Sequence, residues 1–386
     1  GPQVGCIRAR QDIPSLSTIG PGPGGVVSGH GWLRSPAVVD LEQSSVTSIG
    51  TVGLVVNPRS GTDVRRAVAA AGAVTVEDKV NVVRRVVLGA REAGINRFVV
   101  HPDTHRIVQR ATETMRGLDL NWLDHELTFT EEDTVTAVAA MRDLGCGVVV
   151  VLGGDGTNRA AARGWPDLVV VPLSTGTNNA FPLLVEATVA GAAAGHVARG
   201  VGRGAFKEDS VVHRALVVRV RPDGASEPDD LALIDALAVD DPFLGSFELF
   251  DPVNLRLAVL SRAEPSAVGF SGVGGLVEPV APDEDAGLLL RFGAVDACEQ
   301  VVRGPTAPGH YADLGLTEVR RLAPGEEVAV EGPVLLAFDG ERKRRLTVGE
   351  RVYLSVVRDG PWVVDVPAVM AQVAADGAYL SSPGSP

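Results

Sequence analysis

A glycine-rich turn that contains one acidic residue is the feature of this sequence best suited to chemistry. Successive glycines let backbone N–H groups converge on a phosphate, and a helix that starts after the turn adds a favourable dipole. An acid in such a turn would repel a phosphate unless it binds a metal ion or meets a hydroxyl. Asp155 is therefore a candidate for a functional role in phosphate chemistry. The alternative is a tight turn in which Asp155 or Thr157 caps the next helix. The turn follows a valine-rich run and consists of Gly153, Gly154, Asp155, Gly156, Thr157 and Asn158.

A second turn, centred on Arg59, follows the apolar run 52–56. Gly61 can adopt the positive φ that a tight turn needs, and Arg59 could reach a phosphate. Taken alone, the plain end of a strand explains this turn better. The candidate binding residues in it are Asn57, Arg59, Ser60 and Gly61.

A third turn follows the next apolar run, residues 168–171, and is therefore expected beside the first turn. Its hydroxyls and amides suit hydrogen bonds to a nucleotide, although a polar helix entry has the same composition. Three such turns on the strand ends of one domain are harder to explain structurally than any single one. The candidate binding residues are Thr175, Gly176, Thr177, Asn178 and Asn179.

The segments between these turns alternate between strand and helix patterns. Short valine-rich runs bounded by Gly and Pro are typical of strands buried on both faces of a parallel sheet. This alternation predicts a doubly wound α/β nucleotide-binding domain with its ligand site at the carboxyl ends of the strands. Strands are predicted at 52–56, 98–100, near 120, 148–152 and 168–171, and helices around 80–90 and over 107–115, 133–144 and 159–163.

A different pattern begins near residue 200, where helical periodicity largely disappears. Short strands separated by turns predict a mostly β, sandwich-like domain, and a final helix over 367–375 is expected to pack back on the first domain. The predicted strands are 215–220, 231–239, 255–260, 288–292, 327–330, 334–338, 345–348 and 351–357. The predicted organisation is a flexible extension over 1–48, an α/β domain over 49–200, a β domain over 201–366, and a helix and tail over 367–386.

Composition restricts the class of protein. The chain has 386 residues and a formal net charge of -13, which argues against an extended nucleic-acid surface. No apolar stretch approaches the roughly 20 residues that span a bilayer. Three scattered cysteines suit a reducing compartment. We expect a cytoplasmic homo-oligomer that acts on small molecules or nucleotides, without a membrane or nucleic-acid partner.

The order N-P-x-S-G, G-G-D-G-T and P…G-T-x-N resembles the superfamily of NAD kinases and diacylglycerol or sphingosine-type lipid kinases. Within it, the chain is most similar to the ATP-NAD kinase-like proteins called acetoin catabolism protein X. The resemblance covers roughly residues 50 to 375 and implies an active site in a cleft between an α/β nucleotide domain and a β-sandwich domain. Further matching segments are 63–66, 232–235, 269–272 and 339–341.

The resemblance also implies roles for single residues. Asp155 would lie beside the hydroxyl acceptor, as in NAD kinases, or in a loop that holds ATP, as in lipid kinases. NAD kinases carry an Asn-Glu pair that holds the adenosine of the acceptor. Ile234 and Asp235 stand at that point here, a departure that bears on NAD as acceptor. Asp339 and Glu341 match a lipid-kinase segment that supplies carboxylates near the acceptor, although an Asp-Gly pair is also an ordinary hairpin turn.

These observations predict a kinase that transfers a phosphoryl group from ATP, with Mg²⁺, to a hydroxyl of a small molecule. NAD, giving NADP, is the preferred acceptor because the overall resemblance is to NAD kinase-like proteins. The catalytic candidates are Asp155, Asp339 and Glu341, and no side chain is predicted to be a metal ligand by spacing. Two alternatives stay open: a kinase for another small alcohol or a lipid, and a non-catalytic nucleotide-sensing protein of acetoin catabolism.

Overall fold

The computed structural model describes residues 50–60, 74–174, 179–201, 211–240 and 252–380. These residues belong to one compact unit. The extension predicted over 1–48 and the segment 63–66 lie outside the described residues. None of the described helices is long and apolar enough to cross a bilayer.

The first part of the chain alternates strands and helices, as predicted. Its strands pair in parallel in the order β3-β2-β1-β4-β5. The elements are β1 (Thr51–Val56), α1 (Val76–Glu92), β2 (Arg97–Val100), α2 (Ile107–Thr112), β3 (Asp119–Trp122), α3 (Glu132–Asp143), β4 (Val148–Leu152), α4 (Asp155–Gly164), β5 (Val169–Leu173) and α5 (Ala187–Ala198).

Helices cover both faces of this sheet, so the side chains of the strands alternate between two cores. In β4, Val148, Val150 and Leu152 contribute to the core formed with α1, α2 and α5. Val149 and Val151 contribute to the core formed with α3 and α4. Burial on both faces explains why β4 reads as an unbroken apolar run, and it confirms the predicted doubly wound arrangement.

The strand order changes direction between β1 and β4, which are neighbours in the sheet. In open α/β sheets, ligands bind outside the carboxyl ends of the strands at such a point. The turn after β1 begins at Asn57, and the turn after β4 begins at Gly153. The two turns therefore border the crevice that the topology creates.

Side-chain caps fix where the helices begin. Thr75 and Asp78 form a capping box at the start of α1, in which each side chain accepts the backbone N–H of the other residue. At the start of α5, the Glu186 carboxylate accepts the backbone N–H groups of Thr188 and Val189. These caps satisfy backbone N–H groups at the starts of α1 and α5, and apolar side chains of both helices pack on one face of the sheet.

The remainder of the chain is mostly β, as predicted. Its elements are β6 (Val212–Arg214), β7 (Val217–Pro222), β8 (Asp230–Ala232), β9 (Asp235–Val239), β10 (Leu255–Leu260), α6 (Phe270–Gly275), β11 (Gly287–Gly293), β12 (Gln300–Ala307), β13 (His310–Leu322), β14 (Glu327–Glu331), β15 (Val334–Phe338), β16 (Glu341–Leu346), β17 (Arg351–Val357), β18 (Trp362–Val364) and α7 (Val366–Ala375).

Two antiparallel sheets pack face to face and form the predicted sandwich. One has the order β12-β13-β11-β10-β9-β15-β16 and the other the order β14-β17-β7-β8. Val259 and Leu336 of the larger sheet share a core with Val218 and Leu354 of the smaller one. The strands β18 and β6 instead extend the first sheet beyond β5, and α7 contributes to the core of that sheet, as expected for the final helix.

Two predictions about these strands were wrong, and four strands were not predicted. The single strand expected over 231–239 is broken between β8 and β9, because the backbone N–H groups of Leu233 and Ile234 turn toward the Asp339 carboxylate. The strand expected over 345–348 begins earlier, at Glu341, directly after the hairpin turn. The sequence patterns also did not indicate β6, β12, β13 or β18.

Candidate active site

Only the first two residues of the glycine-rich motif lie outside a helix, fewer than predicted. The helix expected over 159–163 begins at Asp155, so α4 already contains Asp155, Gly156, Thr157 and Asn158. Gly154 is the residue before the helix, and no side chain caps its first turn. The capping explanation for Asp155 and Thr157 therefore does not hold. Their side chains make contacts outside α4 instead.

The Asp155 carboxylate binds the backbone of the third turn. Its Oδ1 accepts the N–H of Phe181 at 2.9 Å and its Oδ2 accepts the N–H of Ala180 at 3.1 Å. A Cβ atom built on Gly154 would lie 2.9 Å from Oδ1 of Asn179, so a larger residue there would disturb this contact. The first and third turns are thus neighbours, as predicted. Four predicted residues of the third turn lie outside the described residues: Thr175, Gly176, Thr177 and Asn178.

The second turn also meets the motif. The Asn57 side chain donates from Nδ2 to Oγ1 of Thr157 at 2.8 Å, and its Oδ1 accepts the N–H of Arg59 at 2.9 Å. Ser60 donates from its hydroxyl to the carbonyl of Asn57 at 2.7 Å. The exposed Arg59 side chain reaches the carbonyl oxygen of Phe129 at 3.4 Å. Gly61 lies outside the described residues.

Lys79 holds the second turn from below, a role that sequence reasoning missed. Its side chain is only 1% exposed, and its ammonium donates to the carbonyl oxygens of Pro58 and Ser60, each at 2.6 Å, and of Asn57 at 3.3 Å. Three carbonyls that face one ammonium fix the course of residues 57–60. The available signal was a lysine directly before Val80, where the helix predicted around 80–90 begins.

The Asp339 carboxylate is buried and binds backbone N–H groups. It accepts from Leu233 at 2.8 Å and from Ile234 at 2.7 Å, and it lies in the left-handed region with φ +50°. The Asp339 N–H donates to the carbonyl of Asp235, itself buried, at 3.0 Å. Burial and the charge of Asp155 raise the pKa of Asp339 to about 7, against the opposing effect of these N–H groups. Asp339 and Asp155 are therefore close enough to interact electrostatically.

Glu341 lies directly against the start of α4. A Cβ atom on Gly156 would lie 2.4 Å from Oε1 of Glu341, so a larger residue there would displace the Glu341 carboxylate from this position. The other oxygen of Glu341 forms an ion pair with Lys343 at 2.6 Å, and Lys343 also binds Glu131 at 2.6 Å. Glu341 is thus an acidic side chain at the first turn of α4, on the rim of the cleft.

Arg262 is a second basic residue of the site that was not predicted. Arg262 follows β10, and its guanidinium carbon lies 5.7 Å from the ring centroid of Phe181, the residue whose N–H binds Asp155. An isolated arginine after a strand carries no sequence signal of such a role. The structure brings together Asp155, Asp339, Glu341, Asn57, Thr157 and Asn179, with Arg262 and Lys79 added.

The acidic groups of this site do not form a metal-binding cluster by themselves. Among the residues that the structure describes, no three His, Cys, Asp or Glu side chains are arranged to hold a metal ion. Mg²⁺ usually keeps several waters and is bound by one or two carboxylates together with substrate phosphates. This donor set suits an ion that arrives with a nucleotide, with Asp155 or Glu341 as the carboxylates nearest the motif.

The buried Asp339 carboxyl predicts a pH dependence of stability. Its folded-state pKa of about 7 lies above the ordinary value of 3.8, so the folded protein holds a proton that the unfolded chain has released. The free energy of unfolding should therefore fall as the pH rises from about 4 to about 7. Asp155→Asn removes the neighbouring negative charge, and we expect a smaller fall in this variant. Urea denaturation at about pH 5 and about pH 8 measures the difference; equal falls in both proteins would contradict this origin.

Both parts of the chain match known protein families. Residues 52–201 match the family described as ATP-NAD kinase N-terminal domain. The first part of the chain is therefore a domain of the NAD kinase class. Residues 216–359 match the acetoin catabolism protein X C-terminal domain. Acetoin catabolism protein X of Cupriavidus necator is 31% identical over 328 residues, which cover 83% of this chain and 91% of that protein. The chain belongs to the acetoin catabolism protein X family.

A solved structure also resembles the fold. The crystal structure of yeast NADH kinase complexed with NADH aligns with a TM-score of 0.46 and 14% sequence identity. The alignment covers 87% of this chain and 89% of the yeast chain.

Proposed function

We propose that this protein is an ATP-dependent kinase that phosphorylates a hydroxyl of a small molecule, with NAD as the preferred acceptor and NADP as the product. One observation carries the proposal. Asp155, at the start of α4, binds the N–H groups of Ala180 and Phe181, while Thr157 of the same helical turn binds Asn57. Three turns thereby meet at the point of the sheet where α/β proteins bind nucleotides.

The donor phosphates are placed at the start of α4 in this proposal. Backbone N–H groups of the first helical turn point out of the helix, and the helix dipole favours negative charge there. Gly153 and Gly154 allow the phosphates to approach the backbone. Lys79 adds a positive charge at the carbonyls of the Asn57 turn, and Arg59 of the same turn is exposed. Bound with ATP, Mg²⁺ supplies charge neutralisation of the phosphate oxygens.

Asp155 is proposed to receive the proton of the attacking hydroxyl. The acceptor oxygen forms a bond to the terminal phosphorus of ATP, the bond from that phosphorus to the bridging oxygen breaks, and ADP leaves. Backbone N–H groups of Ala180 and Phe181 hold the carboxylate in a fixed orientation while it accepts the proton. Glu341 supplies a second carboxylate near the acceptor, and the buried Asp339 positions the bend at 233–235.

NAD is preferred as acceptor because the first domain matches the ATP-NAD kinase family. One observation favours the alternative functions. Ile234 is 1% exposed and packs in an apolar cluster with Phe181 and Leu233, at the point where NAD kinases carry an Asn. An amide that would bind the adenosine is therefore absent from this position. A kinase for another small alcohol or a lipid, or a nucleotide-sensing protein of acetoin catabolism, is the alternative.

The test is a direct assay for NADP. Purified protein is incubated with ATP, Mg²⁺ and NAD, and NADP and ADP are quantified together. Equal amounts of the two products support the proposed reaction. ADP formation that depends on a different alcohol, such as acetoin, would keep the kinase and replace the acceptor. Nucleotide binding without any product from an acceptor screen would favour the sensing protein.

A further inference from the structure

Arg262 directly follows a residue that is bonded to the same backbone segment as Asp339. The preceding residue, Ser261, donates its N–H to the carbonyl of Ile234 at 2.9 Å and its hydroxyl to the carbonyl of Leu233 at 2.7 Å. The N–H groups of Leu233 and Ile234 bind the Asp339 carboxylate. Residues 233–234 thus connect Asp339 on one side with the start of Arg262 on the other.

The Arg262 side chain extends toward Asp155. Its guanidinium packs on the ring of Phe181, and the backbone N–H of Phe181 donates to Asp155. Burial lowers the pKa of the Arg262 guanidinium, and three nearby carboxylates raise it, those of Glu264, Asp155 and Asp339. The cation therefore lies close enough to both cleft acids to feel their charges.

The donors of Arg262 are not used by the protein. Its Nε is buried without a hydrogen-bond partner, and within the described part of the chain its side chain makes no hydrogen bond or ion pair. An unmade hydrogen bond of a buried charged group is costly, so such groups are normally satisfied. The geometry leaves a planar set of N–H donors in the cleft that an anionic ligand would satisfy.

We propose that Arg262 binds the phosphoryl group that moves from donor to acceptor. This inference rests on the proposed kinase function and assigns a residue to it. A phosphoryl group beside the Asp155 carboxylate meets negative charge, which a guanidinium offsets. The guanidinium also presents paired N–H donors in the geometry of two phosphate oxygens. A purely structural counter-ion would instead hydrogen-bond one of the two carboxylates, and Arg262 does not.

Two pairs of nucleotides test the contact without turnover. ATP and NADP carry the moving phosphoryl group, whereas ADP and NAD lack it. Calorimetric titration of wild type and Arg262→Met with each nucleotide alone gives two affinity ratios, ATP over ADP and NADP over NAD. Loss of a charged hydrogen bond should reduce each ratio by roughly 10- to 100-fold, while the affinity for ADP stays unchanged. Arg262→Lys keeps the charge without the paired donors and should give an intermediate loss.

Controls separate this contact from folding and from the choice of acceptor. Arg256→Met lies at the other end of β10, where Arg256 pairs with Asp240, and it should leave both ratios unchanged. Unchanged ratios in Arg262→Met overturn the inference, as does an equal loss of affinity for ATP and ADP. Failure of the wild type to bind NAD and NADP refutes only NAD as acceptor. The ATP and ADP pair then decides on Arg262.

Discussion

Asp155→Asn should lower the rate of phosphoryl transfer by roughly 100-fold or more, the usual contribution of a positioned general base. The substitution keeps the size of the side chain and one oxygen that can accept the N–H of Phe181 or Ala180. An amide cannot take the proton of the attacking hydroxyl. The expected result is a folded, nucleotide-binding protein with little turnover, measured as the rate of ADP formation with the acceptor found for the wild type.

The matched control is Asp365→Asn. Asp365 also binds a backbone N–H, that of Ala368 at 2.9 Å, but it does so at the start of α7 rather than in the cleft. Both variants replace a carboxylate that accepts a backbone N–H with an amide, so Asp365→Asn reports the general effect of this replacement on folding. We expect Asp365→Asn to keep the activity of the wild type. Full activity in Asp155→Asn would remove Asp155 from the role of base.

Most strands of the first domain could be predicted from the sequence, because a strand that is buried on both faces appears as an apolar run. Other strands carried no such pattern. β13 is buried only at residues 314–316 and at Leu322, and it includes several charged residues, so its thirteen residues did not show a strand pattern. β18 has three residues, and Trp362 pairs with Val169 and Arg214, both distant along the chain. Short strands that depend on distant partners leave little local trace.

The candidate site shows the same division. The three turns could be placed together from the sequence, since the ends of neighbouring parallel strands meet at one edge of the sheet. Asn57 with Thr157, and Asp155 with Phe181, confirm that placement. Lys79 and Arg262 gain their roles only from contacts made across the fold. No spacing rule connects an arginine after β10 with a turn after β5.

Charged residues outside the site interact with α4 and with Glu341. Burial disfavours the charge of Glu131, yet neighbouring cations hold its pKa below the ordinary value: Lys343, Arg159 and Arg163. Lys343 also binds Glu341 at the first turn of α4. The glycine-rich motif therefore adjoins a network of coupled charges. The network includes groups from α4, from the residue before α3 and from β16. The position of Glu341 depends on this network as well as on the hairpin turn.

Arg159→Met should destabilise the protein strongly. The Arg159 side chain is 1% exposed, binds Asp230 at 2.5 Å and Glu131 at 3.3 Å, and donates to the carbonyl of Leu231 at 2.6 Å. Methionine fills much of the volume but leaves these acceptors without their cation. Removal of one partner of a buried ion pair costs about 3 to 5 kcal/mol, and the remaining exposure of the two acids places the expected loss near about 3 kcal/mol. Urea denaturation measures the loss.

Arg163→Met provides the comparison, because Arg163 contacts the same two acids from one turn further along α4. It binds Glu131 at 3.1 Å and lies 3.9 Å from Asp230, but its side chain is 29% exposed. Water can therefore replace much of what Arg163 supplies, and we expect a loss of about 1 kcal/mol or less. A loss in Arg159→Met no larger than that in Arg163→Met would contradict a special role of burial. If Arg159→Met loses much more unfolding free energy than Arg163→Met and also binds ATP more weakly, the charge network around Glu131 also holds the glycine-rich motif in place.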